Sequence, residues 1–241
     1  MKNLIVANWK MNPSSQKEAQ DIFKRIKNGI AAASAEGFGE PKEVVICPPF
    51  VFLPLLKGLT IGAQNVFSEE KGAFTGEVSG AMLKDLDIEY VLIGHSERRK
   101  YFGETDETIN KKIKRALETG LKVIFCIGET QEQRDRGEKY KVLEKQIKGG
   151  LAGIENMENI NIAYEPVWAI GTGNNCSVEE TKESIDFIRK FVPKTTRILY
   201  GGSVKSENSG AYIKEAGSNG LLVGGASLNA EEFVKIIKSA E

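Results

Sequence analysis

Short apolar runs recur eight times along this chain: LIVAN (4–8), VVIC (44–47), LTIGAQ (59–64), YVLIG (90–94), VIFCIG (123–128), INIAYE (160–165), RILYGG (197–202) and GLLVGG (220–225). Each pair of runs leaves room for one helix between them. Most runs are continuous rather than alternating, which is the pattern of parallel strands covered on both faces. The segments between them read as amphipathic helices: Ile109, Ile113, Ala116 and Leu117 share one face, as do Phe233, Ile236, Ile237 and Ala240. Capping boxes mark helix starts at Ser15 with Glu18, Thr130 with Gln133, Ser177 with Glu180 and Asn229 with Glu232, and glycines at 120 and 217 mark stops.

Strand and helix therefore alternate about eight times, with no linker to divide the 241 residues, and one closed (β/α)8 barrel over 1–241 is the economical solution. An open doubly wound sheet uses the same alternation. Closure is favoured because strand-end chemistry is spread from Lys10 to Gly225, and a barrel gathers all strand ends around one mouth. The 33 basic residues balance the 33 acidic ones, so bulk charge points to neither a nucleic-acid nor a membrane partner. The opening apolar run is only strand length, and no apolar stretch approaches a membrane span, so neither a signal peptide nor an anchor is expected. Three widely separated cysteines, Cys47, Cys126 and Cys176, predict reduced thiols in a cytoplasm.

The polar groups that follow the runs are Asn8 and Lys10, Gln64 and Asn65, His95 with Glu97, Glu129, Glu165, Gly201-Gly202-Ser203 and Gly224-Gly225. By position alone, Lys10 is either a solvated surface lysine or a cation aimed at the mouth. His95, the sole histidine, reads either as a hydrogen-bonded structural group or as a catalyst. No second histidine or cysteine pair offers metal ligands at useful spacing. GHSER imitates a serine-hydrolase elbow but has Arg98 in place of the last glycine, and GTGNNC imitates a dinucleotide fingerprint but has Cys176 in place of the third.

Glu165 ends a mostly apolar strand, where a carboxylate is costly unless it is paired, poised for proton transfer or emerging into solvent. The apolar loop PVWAIGTGNNCS follows it. YGGSV and VGGAS place small residues between strand and helix at the last two strands, where barrels frequently bind phosphate. Together these groups suggest a small phosphorylated substrate and removal of a proton next to a carbonyl.

In order and spacing, ANWKMN, AQNVF with GAFTGE, GHSERR with FGE, CIGET, AYEPVWAIGTG, YGGSV and VGGAS closely resemble the triosephosphate isomerase family, from the first strand to the last helix. The resemblance implies a single TIM barrel that interconverts dihydroxyacetone phosphate and D-glyceraldehyde 3-phosphate through an enediolate, in glycolysis and gluconeogenesis, with no cofactor or metal. It implies Glu165 as base, His95 as electrophile and Lys10 as the substrate-binding cation with Asn8 alongside. Gly171, Ser203, Gly224 and Gly225 would hold phosphate, with Glu97 in support. A lid would comprise Pro166, Val167, Trp168, Ala169, Ile170, Gly171, Thr172, Gly173, Asn174, Asn175 and Cys176.

A homodimer is implied too. The loop Phe67 to Glu77, with Phe74 and Thr75 near its tip, would insert into the neighbouring subunit near Lys10 and Asn12. One departure is the hinge Asn174-Asn175-Cys176, where many members carry lysine directly after GTG; closure is expected to survive with altered kinetics. Cys176, at what reads as an exposed hinge, is expected to be oxidisable. The competing readings are another phosphosugar isomerase or a lyase on the same barrel, and a catalytically silent phosphate-binding barrel.

Overall fold

The computed structural model describes residues 1–35, 43–171 and 175–240. Among them, eight parallel strands close into a barrel in sequence order, which excludes the open sheet. They are β1 (Leu4–Asn8), β2 (Glu43–Cys47), β3 (Thr60–Ala63), β4 (Tyr90–Ile93), β5 (Lys122–Ile127), β6 (Ile160–Tyr164), β7 (Ile198–Tyr200) and β8 (Gly220–Val223). Closure is made by β1 against β8, with Leu4 opposite Gly220 and Ala7 opposite Val223.

Helices α1 (Gln16–Ala35), α2 (Gly80–Asp85), α3 (Ser96–Phe102), α4 (Asp106–Glu118), α5 (Gln131–Asp135), α6 (Lys139–Gly150), α7 (Val178–Ile188), α8 (Ser209–Lys214) and α9 (Ala230–Ser239) surround the strands. The alternation is not uniform. Between β2 and β3 there is only a 3-10 turn, Phe50–Leu55, because Pro48, Pro49 and Pro54 remove backbone donors and block an α-helix. Of the expected capping boxes, Thr130 with Gln133 is reciprocal. Ser15, Ser177 and Asn229 each accept from backbone N–H groups, and a further reciprocal box joins Thr105 and Thr108.

Side chains alternate between two apolar layers, as a pleated strand requires. Leu4, Val6, Val45, Leu92, Ile124, Ala163, Leu199 and Leu222 fill the barrel interior, whereas Ile5, Ala7, Val91, Ile93, Tyr164 and Tyr200 pack outward with the helices. This phase places functional groups at the mouth. Asn8 continues the inward series of Leu4 and Val6, and Glu165 continues that of Ala163.

The opposite end is closed by a polar cluster. The Arg197 guanidinium donates to Glu43 at 2.6 Å, to Asn161 at 2.8 Å and to the Tyr90 hydroxyl at 3.1 Å, and Tyr90 in turn donates to Glu43. Burial pushes the Glu43 carboxyl up, but the hydrogen bonds from Tyr90 and Arg197 outweigh it and hold the group below its ordinary value. No helix among the described residues is long and apolar enough to cross a membrane.

Candidate active site

At the carboxyl ends of the strands a cavity of about 610 Å³ is lined by Asn8, Lys10, His95, Glu165, Gly171, Ser203, Gly224 and Gly225, the whole set expected to catalyse or bind. Glu97 joins it through Lys10, whose Nζ lies 2.6 Å from Oε1 of the glutamate. The Lys10 backbone is left-handed, with φ 54°, a conformation that costs an L-residue about 1–2 kcal/mol. Neighbouring groups hold it there. The Asn8 side chain accepts from the Lys10 N–H at 3.0 Å, and the Gln64 amide donates to the Lys10 carbonyl at 2.8 Å and to that of Cys47 at 2.9 Å. Gln64 stood among the strand-end residues with no role; its contact partners lie far away in sequence, so no local pattern could reveal it.

His95 reaches the mouth by a break in phase. Tyr90 and Leu92 face inward, so an extended chain would turn residue 95 outward. Gly94, at φ 77°, interrupts the pleat and brings the imidazole over the cavity as the N-cap of α3. The Glu97 N–H donates to His95 Nδ1 at 3.3 Å, and the Glu97 carboxylate is 3.7 Å from the same nitrogen, too far for a hydrogen bond. With Nδ1 an acceptor, the ring N–H is at Nε2, which lies 3.1 Å from Glu165 Oε1. The other carboxylate oxygen of Glu165 accepts from the Ser96 N–H at 3.1 Å. That donor is a backbone group and left no trace in side-chain chemistry.

Glu165 and His95 are 2% and 6% exposed, so this pair is shielded from water while facing the cavity. Two glycines pack against Glu165, and at Gly128 the absence of a side chain is sterically required. A Cβ on Gly128 would strike the Glu165 carbonyl, and one on Gly201 would sit 3.0 Å from Glu165 Cγ.

The loop after β6 begins with Pro166 and a 3-10 turn, Val167–Ala169. Trp168 donates from Nε1 to the buried Glu129 at 2.8 Å, and the Tyr164 hydroxyl lies 3.2 Å from the same oxygen. Burial pushes the Glu129 carboxyl up despite these donors. The guanidinium of Arg134 covers the Trp168 ring at 3.9 Å and pairs with Glu180. Ile170 and Asn175 also line the cavity, whereas Thr172, Gly173 and Asn174 lie outside the described residues.

Cys176 contradicts its reading as an exposed, oxidisable hinge. It is 1% exposed, packed in the outer core, and burial pushes its thiol up to about 11. At the dimer loop, Phe74 and Thr75 are exposed, Phe74 leans on Phe67 with ring centroids 4.7 Å apart, and Asn12 is exposed near Lys10.

A model of the triosephosphate isomerase family matches residues 3–240. Curated relatives bearing that name include one from Alkaliphilus oremlandii, 46% identical with 98% of each chain covered, and one from Dictyoglomus thermophilum, 48% identical with 99% of each covered. A third, from Aquifex aeolicus, is 46% identical with 99% of this chain and 100% of its own covered. Fold and matches together define a barrel isomerase. The chain belongs to the triosephosphate isomerase family, and the reaction it catalyses is the interconversion of triose phosphates.

Proposed function

We propose that Glu165, His95 and Lys10 carry out this isomerisation, on the strength of one observation above all: a buried carboxylate meets the Nε2 of the lone histidine at 3.1 Å on the wall of the cavity that also takes Lys10. Glu165 removes a proton from C1 of dihydroxyacetone phosphate, and the electron pair moves through the new C1–C2 double bond onto the carbonyl oxygen. His95, donating from Nε2, and the Lys10 ammonium stabilise the oxygen as it gains charge. The C2 oxygen takes up a proton while the C1 hydroxyl gives one up, an exchange for which His95 Nε2 lies in reach of the cavity, and return of the carbon-bound proton from Glu165 to C2 gives D-glyceraldehyde 3-phosphate. For this, the carboxylate turns from the Ser96 N–H toward the substrate carbon, and His95 Nε2 turns to the substrate oxygen.

Gly171, Ser203, Gly224 and Gly225 receive the phosphate, and the loop from Pro166 to Cys176 covers it. Asn8 braces Lys10, and Glu97 holds its ammonium. The working unit is a homodimer. The support for this is a set of exposed apolar side chains on the connections after β1, β3 and β4: Met11 (93% exposed), Phe74, Met82, Tyr101 and Phe102. Three free, buried cysteines favour a cytoplasmic setting.

The test is conversion of glyceraldehyde 3-phosphate followed through glycerol-3-phosphate dehydrogenase, for the wild type and Glu165→Gln. Rapid wild-type turnover, with a loss of at least about a thousandfold in a folded variant, is expected. Near-normal turnover by the variant overturns the assignment of the base. His95→Gln tests the electrophile: an effect on KM alone would reduce it to a binding group.

A further inference from the structure

Both limbs of the loop after β6 are hydrogen-bonded to the β7–α8 unit. On the first limb, the Ser203 hydroxyl donates to the Ala169 carbonyl at 2.6 Å. On the second, the Tyr212 hydroxyl, from α8, donates to the Cys176 carbonyl at 2.7 Å, one residue before the N-cap of α7. Tyr212 is 2% exposed, and its ring stacks on Tyr200, the last residue of β7, with centroids 3.8 Å apart and planes at 23°. The Tyr200 hydroxyl is buried without a hydrogen-bond partner, and it lies where a Cβ on Gly202 would collide with it. A continuous path of contacts thus runs from Cys176 through both tyrosine rings to the underside of the turn Gly201-Gly202-Ser203. Burial raises the Tyr212 phenol, so it remains a donor at neutral pH.

We infer that Tyr212 is a positioning residue for the isomerisation: its hydroxyl tethers the second limb of the loop, and its ring sets that tether against the turn that takes the substrate phosphate. This rests on the reading of the loop and turn given under the proposed function. Its consequence is specific. Weakening the tether costs interactions that depend on the phosphate and leaves the proton-transfer groups in place, since none of Glu165, His95 and Lys10 is among the hydrogen-bond or ring partners of Tyr212.

The experiment compares wild type, Tyr212→Phe and Tyr212→Leu on two substrates, glyceraldehyde 3-phosphate and unphosphorylated glyceraldehyde, with inorganic phosphate as inhibitor and Tm as the measure of folding. Tyr212→Phe keeps the ring stack, so a cooperative melt close to wild type is expected. Its kcat/KM for the phosphorylated substrate falls about five- to tenfold, the worth of one net hydrogen bond, and phosphate inhibits correspondingly less well. Turnover of glyceraldehyde stays within twofold of wild type, and Tyr212→Leu follows the same pattern with a larger loss. Equal losses on both substrates, no loss on either, or a phenylalanine variant that does not melt cooperatively would each overturn the inference in favour of plain core packing. A wild-type chain that failed to turn over glyceraldehyde 3-phosphate would instead remove the underlying reading, and the inference with it.

Discussion

Lys10 is held in a conformation it would not adopt alone, and Gln64 is the side chain to perturb. The left-handed backbone at φ 54° costs about 1–2 kcal/mol, and the Gln64 amide offsets it by donating to the carbonyls of Lys10 and Cys47 at 2.8 and 2.9 Å. Leucine at this position is close in volume and has no donor, so Gln64→Leu deletes both bonds, about 1 kcal/mol each, and leaves two carbonyls facing an apolar group. The loss, about 2 kcal/mol, matches or exceeds the strain, and the backbone relaxes away from the geometry that aims the ammonium. Catalytic efficiency is expected to fall about 10- to 30-fold, chiefly through KM, because Lys10 binds substrate. Tm should fall about 4–8 °C, the shift that 2 kcal/mol produces in a chain of this size. Steady-state kinetics with glyceraldehyde 3-phosphate and a thermal melt read the two effects separately. A lower Tm with kcat/KM within twofold of wild type would refute the reasoning, since Gln64 would then only bind two strand ends together.

At the base of the barrel, Glu43 is held below its ordinary carboxylate value, so its contribution is full above the unfolded value near 4.5 and is lost as pH falls through the lower folded one. The Tm gap between wild type and Glu43→Gln should therefore be wide at pH 7 and shrink below about pH 4.5; a gap independent of pH would contradict this. With Cys176 pushed up to about 11 and all three thiols buried, the native protein should resist a thiol reagent at pH 8 and react at three sites in urea; fast labelling of the native form would show the hinge to be open. Gly94→Ala forces a side chain into φ 77° with its Cβ 3.0 Å from Ile109 and 3.2 Å from the Cys126 carbonyl, so stability and kcat should fall together, and unchanged kcat would dissociate the phase break from the placement of His95. Thr75→Arg at the exposed loop tip should shift sedimentation toward a 26.5 kDa monomer and lower activity, whereas an unaltered dimer would place the interface elsewhere.

What the sequence determined by itself was periodic or local. Eight continuous apolar runs dictated parallel strands, because a strand covered on both faces has no polar side to display. Their spacing favoured a single barrel over an open sheet, and the groups just beyond the runs included Asn8, Lys10, His95, Glu165, Ser203, Gly224 and Gly225, all of which line the mouth. Capping at Thr130 and the stops at Gly120 and Gly217 were legible because a helix end satisfies its own backbone within a few residues.

Other features depended on approach in space. The 3-10 turn after β2 is the local exception, since three prolines there block the helix that the spacing of the apolar runs predicts. Gly94 redirected His95 against strand phase, Gln64 and Glu97 met Lys10 from distant segments, and Cys176 turned inward under Tyr212. For Gln64, Glu97 and Cys176 the deciding energy comes from hydrogen bonds and packing between residues far apart in the chain, which no local pattern contains.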